Sequence, residues 1–351
     1  MTIAGPLAAL KNEKLCDTYR YHRKRLDALF SGKHPAKPFG LNGITANSTE
    51  AVIDPSAWFA ESVEELADQV EPACDELIFR PMSICHNPYG VHFIDILFGA
   101  DVFFHPDSEQ WQVHTFKGPV GSLSRPDIEQ NPAWTQAREI ARLFLAHDLP
   151  NVVLELPTLS SALNIAVNLY GQEILIAMLE DPAAARNDLR VINDLIIELH
   201  DWYSEHIPAD RFQSIVASGR FQPFGHGQLC GCTTQLTSNE IYQEFVAGLD
   251  AEVLGRYARG GMIHLCGTHA QHIPSWREMS ELKAVQLNDT AAEDLAAYFQ
   301  GLRSDQVIYV NYFEGMTADQ ALNVTGGERL VLVGEFDEEA REVLVCNNKP
   351  R

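Results

Sequence analysis

The sequence predicts an α/β protein folded as a (β/α)8 TIM barrel with an N-terminal helical extension. After Arg125, short apolar runs that do not alternate are separated by helical stretches of roughly 10 to 20 residues, the pattern of parallel strands covered on both faces. A length of 351 residues suits one large barrel. No break in composition marks a linker after Arg125. On these grounds residues 1–75 are expected to form a helical segment packed on the barrel and residues 76–351 the barrel itself, together one structural domain. A doubly wound open sheet shares the alternation and is the second arrangement.

Residues 6–31 carry apolar positions at helical spacing, with the basic cluster Arg20, His22, Arg23, Lys24 and Arg25, and the Pro/Gly-rich stretch 33–43 ends the pattern. Pro55–Val70 is a second helix with Asp54 or Ser56 as cap, and the acidic run Glu61–Glu65 is its solvated side. The apolar, aromatic stretch Leu77–His114, including Ile94–Phe98 and Val102–His105, suits strands and buried loops. The regular alternation follows. Helices are expected at Trp134–Leu149, Ser160–Leu179, Asp181–His206, Ser238–Tyr257 and Thr268–Met279, and from Thr290 and Thr317. Strands are expected at Asn151–Pro157, Phe212–Ser218, Met262–Cys266, Ala284–Asn288, Val307–Asn311, Leu330–Val333 and Val343–Cys346. With a strand ending at Cys346, the chain stops too soon for a full last helix. Either that helix is missing or the N-terminal segment covers that side.

Composition narrows the function. Hydrophobic residues make up 46% and charged residues 21%, ordinary globular values. Acidic residues number 48 against 26 basic, a net charge of −22 that repels nucleic-acid phosphates and anionic lipid. No run approaches the ~20 apolar residues of a membrane helix. The seven scattered cysteines, without an export signal ahead of them, point to reduced thiols in a cytoplasmic protein. No P-loop, Gly-x-Gly-x-x-Gly or Gly-x-Ser-x-Gly motif appears.

In a parallel barrel, chemistry gathers at the C-terminal ends of the strands. The strand Met262–Cys266 ends in His264 and Cys266, two residues apart and therefore on one side. Imidazole nitrogen with thiolate is a zinc-favouring pair. The last predicted strand ends in Cys346, and the ends of distant strands converge in a closed barrel, so Cys346 is the candidate third ligand. Asn288 and Asp289 stand at the end of the next strand, as a helix cap or as an added oxygen donor. His226, Gln228, Cys230 and Cys232 follow the strand 212–218 and are expected near the mouth. Cys230 and Cys232 are candidate metal, redox or catalytic thiols, unless they are simple loop packing, and His226 and Gln228 are candidate cofactor contacts. His269 and His272, one turn apart, either extend the metal site and move protons or serve as surface and capping residues. Cys85, His86, Asn87, Tyr89, Gly90, His92, Asp101, His105 and His114 are weaker candidates, by position alone.

The block Met262–Gly267 (MIHLCG) resembles the His-x-Cys-Gly segment of the uroporphyrinogen decarboxylase-like superfamily. Thr237–Val246 (TSNEIYQEFV), Asn87–Ala100 (NPYGVHFIDILFGA) and Leu169–Pro182 (LYGQEILIAMLEDP) are similar to other segments of it, so that the resemblance runs from about residue 75 to 346. The resemblance implies a TIM barrel. Within the superfamily it is closest to the cobamide-dependent methyltransferases, which bind zinc through a His-x-Cys…Cys pattern. It then implies zinc held by His264, Cys266 and Cys346, a corrinoid on a partner protein as methyl donor or acceptor, a small-molecule thiol as methyl acceptor, and pairing into homodimers. The decarboxylases' arginine motif MRQAGR is absent, and the Cys-Gly-Cys of Cys230–Cys232 replaces residues that are usually acidic there. Two alternatives remain. One is a metal-independent lyase acting on a small carboxylic acid, which needs a basic pocket drawn from Arg80, Lys117, Arg125 or Arg220. The other is a non-catalytic corrinoid- or metal-binding barrel.

Overall fold

Two helices open the chain, α1 (Ala4–Ala9) and α2 (Glu13–Phe30). The Asn12 side chain starts the second by accepting from the Leu15 amide. The computed structural model describes residues 3–32, 37–214 and 217–348. After α2 come β1 (Phe39–Leu41), β2 (Ile44–Ser48), α3 (Pro55–Asp68), α4 (Val70–Ala73), β3 (Ile78–Phe79), β4 (Met82–His86) and α5 (Phe93–Leu97). Asp54 caps α3 as expected, accepting from the amides of Ser56 and Ala57. A hairpin, β5 (Asp101–His105) and β6 (Gln110–His114), leads to α6 (Pro132–Leu145), β7 (Val152–Glu155), α7 (Ala162–Tyr170), α8 (Glu173–Glu180) and α9 (Pro182–His206). Next are β8 (Phe212–Gln213), α10 (Ala217–Arg220), β9 (Gly227–Cys230), α11 (Asn239–Phe245), α12 (Ala247–Gly255), β10 (Gly261–Cys266), α13 (Ile273–Glu278) and β11 (Leu282–Asn288). The last five are α14 (Leu295–Gly301), β12 (Val307–Asn311), α15 (Ala318–Thr325), β13 (Leu330–Val333) and α16 (Glu338–Asn348).

The protein is a mixed α/β fold with parallel sheets. The larger sheet has the order β3-β1-β13-β12-β11-β10-β9, and the smaller β2-β4-β7-β8. All pairings within both are parallel, whereas β5 and β6 pair antiparallel. Strand side chains alternate, and each face has its own apolar set. Ile263, Leu265, Val285, Leu287, Ile308, Val310, Leu330 and Leu332 join the outer core under the helices. Met262, Ala284, Val307, Tyr309, Val331 and Val333 point the other way, into a second core shared with Phe39, Phe79, Val153 and Phe221. Tyr19, Leu26 and Leu29 of α2 complete that inner core. Met262, Val307 and Val331 lie in the first two residues of their strands, and Phe30 of α2 packs on His226 just ahead of β9, so α2 covers the N-terminal end of the sheet. The C-terminal halves of the same inner faces carry the polar residues His264, Gln286 and Asn311.

Four expectations are corrected. Of Ile94–Phe98, Ile94–Leu97 lies in helix α5 and Phe98 caps its end, so the run is not a strand. The single helix expected over Ser160–Leu179 is two, α7 and α8, turning through 109° at Gly171, which has φ +61°. The run Val343–Cys346 is not a strand: it belongs to α16, which buries Leu344 and leaves Val345 and Cys346 exposed. Its helical start is favoured by Asp337, whose carboxylate accepts from the Ala340 amide, and by acidic residues in the first turn. The strand expected over Phe212–Ser218 covers only two residues before α10, and residues 215–216 lie outside the described ones. Among the described residues no single helix is long and apolar enough to cross a membrane.

Candidate metal centre

Period-2 geometry places His264 and Cys266 on the inner face at the C-terminal end of β10. Cys266 Sγ lies 3.1 Å from His264 Nε2. The neighbouring strand β9 pairs Cys230 directly with His264, and the chain beyond it turns at Gly231 to bring Cys232 over the same point. The turn is held by the Gly231 amide donating to the His264 carbonyl at 2.9 Å. Ligand atoms of Cys232, His264 and Cys266 all lie within 4.8 Å of one another. One nitrogen and two sulfurs converging on a point is a donor set suited to zinc.

The His264 tautomer is set by its surroundings. Gln286, on the next strand, lies with Oε1 2.6 Å from His264 Nδ1. The amide cannot be turned the other way, because Gln286 Nε2 donates to Asn311 Oδ1 at 2.6 Å and to the Gly219 carbonyl at 3.2 Å. His264 therefore carries its proton on Nδ1 and turns the Nε2 lone pair toward Cys266, as metal ligation requires. Burial, then the nearby Arg220 charge, lower the His264 pKa and keep the ring neutral.

A hydrogen bond from the Cys232 thiol lowers the Cys266 pKa, while that bond and burial raise Cys232. Asn288 Nδ2 adds a contact to Cys266 Sγ at 3.4 Å. Its side chain makes no helix-cap hydrogen bond. Gly267 follows at φ +83°, and a Cβ there would stand 2.3 Å from Gln235 Oε1.

The other sequence candidates fall elsewhere. Cys346, expected as the third ligand, is exposed on α16, and Cys232 stands in the group instead. Cys230 is buried beside the group, with Arg220 Nη1 3.5 Å from its sulfur, and burial raises its thiol pKa. His226 precedes β9, at the opposite end from Cys230, with Nδ1 2.8 Å from the Pro223 carbonyl and its ring against Phe30. Gln228 lies buried in the strand between them. Neither is part of the Cys232–His264–Cys266 group: His226 stands ahead of the strand and Gln228 is within it, two residues before Cys230. His269 acts on the backbone: its Nε2 is 2.8 Å from the Cys266 carbonyl and its Nδ1 is 3.0 Å from Thr234 Oγ1. His272 Nε2 lies 2.9 Å from the Thr234 carbonyl. Both imidazoles are held neutral by burial, His269 lowered to about 4. They brace the two loops that carry Cys232 and Cys266.

Of the weaker candidates, Cys85 is buried on β4 with its thiol raised by burial and Glu155. His86 Nε2 lies 3.1 Å from the Glu50 carbonyl. Asn87 forms a reciprocal pair with Thr158. Tyr89 and Gly90 begin the turn to His92, whose Nδ1 is 2.6 Å from the buried Asp95. Asp101, His105 and His114 belong to the β5–β6 hairpin. Arg80 pairs with Asp75 and Arg125 with Glu198, and Lys117 is exposed.

No protein-family model matches the chain, and no curated protein sequence matches it. Its fold is similar to that of a solved methyltransferase from Methanosarcina mazei, with a TM-score of 0.61 and 12% identity, over 93% of this chain and 97% of that one. At that identity the likeness is one of fold.

Proposed function

We propose that this chain is a zinc-dependent methyltransferase moving a methyl group between a corrinoid, carried on a partner protein, and a thiol acceptor. The observation that carries the reading is the Cys232–His264–Cys266 group on the inner face of the sheet. Likeness in fold to a methyltransferase supports methyl transfer as the reaction, and the resemblance of MIHLCG to the uroporphyrinogen decarboxylase-like superfamily supports the corrinoid. Three protein ligands leave one tetrahedral position open. Zinc bound there supplies a cation that favours thiolate over thiol at neutral pH, which makes the acceptor sulfur nucleophilic. Gln286 orients the imidazole, and Asn288 contacts the Cys266 sulfur.

We read the two sheets as walls of one (β/α)8 barrel with residues 1–75 packed on it. Two residues separate β1 from β2, yet they lie in different sheets, and the same holds for β3 and β4. The inner core draws on both sheets, Val331 from one and Val153 from the other. At the far seam Gln213 Nε2 donates to the Gln222 carbonyl at 3.2 Å, and Gln222 Nε2 donates to the Gly227 carbonyl at 2.9 Å, side-chain bonds that bridge β8 toward β9.

The test is metal content of the full chain purified without added metal, beside a Cys232→Ala/Cys266→Ala variant. About one zinc per chain in the parent and none in the variant is expected. Thiols are then screened for demethylation of methylcobalamin by its visible absorbance. A folded parent that holds no zinc and takes none up overturns the reading.

A further inference from the structure

Arg220, the last residue of α10, is a half-buried guanidinium beside the metal centre. Its Nη1 lies 3.5 Å from Cys230 Sγ, and Cys230 is the strand partner of His264. The preceding residue, Gly219, accepts from Gln286 Nε2 at 3.2 Å, which ties α10 to the side chain that orients His264. Most arginines on this acidic chain sit on carboxylates, as Arg138, Arg186, Arg190, Arg256 and Arg259 do. Among the described residues Arg220 makes no such ion pair.

Charge accounting gives this placement a role. A divalent cation held by two thiolates and a neutral imidazole has no net charge. An anionic sulfur in the fourth position makes the centre −1, whereas a neutral ligand leaves it at 0. A fixed positive charge in a partly buried, low-dielectric setting stabilises the first state over the second.

We propose that Arg220 is the charge-balancing residue of the metal centre, selecting an anionic sulfur as fourth ligand over any neutral one. The entering thiol forms its bond to the metal as its S–H bond breaks, the proton passing to solvent. Methylation turns that sulfur into a neutral thioether, which loses the Arg220 interaction, so the same residue favours exchange of product for fresh thiol. The inference rests on the metal reading above.

The test uses the full chain loaded with Co²⁺, whose visible bands report the fourth ligand. At one fixed pH, 2-mercaptoethanol (bound as thiolate) and imidazole (bound neutral) are titrated into the parent, Arg220→Met, Arg220→Gln and Arg220→Lys. Thiol affinity is expected to fall about tenfold or more in the Met and Gln variants and to recover in Lys, with imidazole affinity changed less than about twofold. Cobalt stoichiometry is expected to stay the same throughout. Equal losses for both ligands, or no loss for either, overturn the inference and leave the metal reading standing. A parent that binds neither cobalt nor zinc overturns both.

Discussion

Gln286 Oε1 lies 2.6 Å from His264 Nδ1, and both polar ends of that amide are committed. The bond spans adjacent strands at matched register, His264 opposite Gln286. Orientation of the His264 imidazole is thus built into strand pairing.

Removing the acceptor should therefore weaken the metal without unfolding the protein. Gln286→Leu is expected to lower zinc affinity by about 10- to 100-fold, while Gln286→Glu, which still accepts from Nδ1–H, keeps it within about threefold. Competition against a chromophoric chelator measures this, and equal affinities for Leu and parent would count against the assignment.

The choice of third ligand is testable directly. Cys232→Ala should abolish tight zinc binding, and Cys346→Ala should leave one zinc per chain, because Cys346 is exposed on α16. Loss of zinc in the Cys346 variant alone would reverse the assignment.

Stability should fall on acidification below pH 6.5. Burial holds His22, His86, His200 and His226 down to about 4, against an ordinary 6.5. Between those values the unfolded chain binds more protons, so stability rises with pH there and is lost as pH falls toward 4. Asp250 acts in the opposite sense: burial raises it from 3.8 to about 7, so its contribution declines as pH rises through that range. His269 adds to the first set and the raised Asp95 to the second, and the histidines outnumber the carboxylates and decide the sign. Tm is expected to drop between pH 7 and pH 4.5, and a flat or rising Tm would refute the assignment.

Gly267→Ala should destabilise the loop behind Cys266. Its φ of +83° is strained for alanine, and the new Cβ would press on Gln235 Oε1. A cost of roughly 1–2 kcal/mol is expected in urea unfolding. Weaker zinc binding should accompany it, since Cys266 is the adjacent residue. A variant as stable as the parent would show that the backbone there relaxes freely.

Most strands were legible because a buried parallel strand announces itself as a short apolar run, and Val307–Asn311 and Leu330–Val333 fall where the sequence puts them. The same simplicity misled at Val343–Cys346, since a run of four apolar residues satisfies a strand and one turn of a helix equally. The Asp337 cap and the acidic first turn tip it to helix.

By itself, the sequence determined that His264 and Cys266 project together, for side chains two apart on a strand share a face whatever surrounds them. It also determined the parallel α/β character, through the spacing of its apolar runs. Only the tertiary structure decided which thiol joins them. Cys232 and Cys346 both looked eligible along the chain. Pairing of β9 with β10, opposite His264 at Cys230, carries Cys232 over the site, whereas α16 turns Cys346 to the surface. Ligand convergence depends on register between strands distant in sequence, and register is set by packing across the sheet rather than by any local pattern.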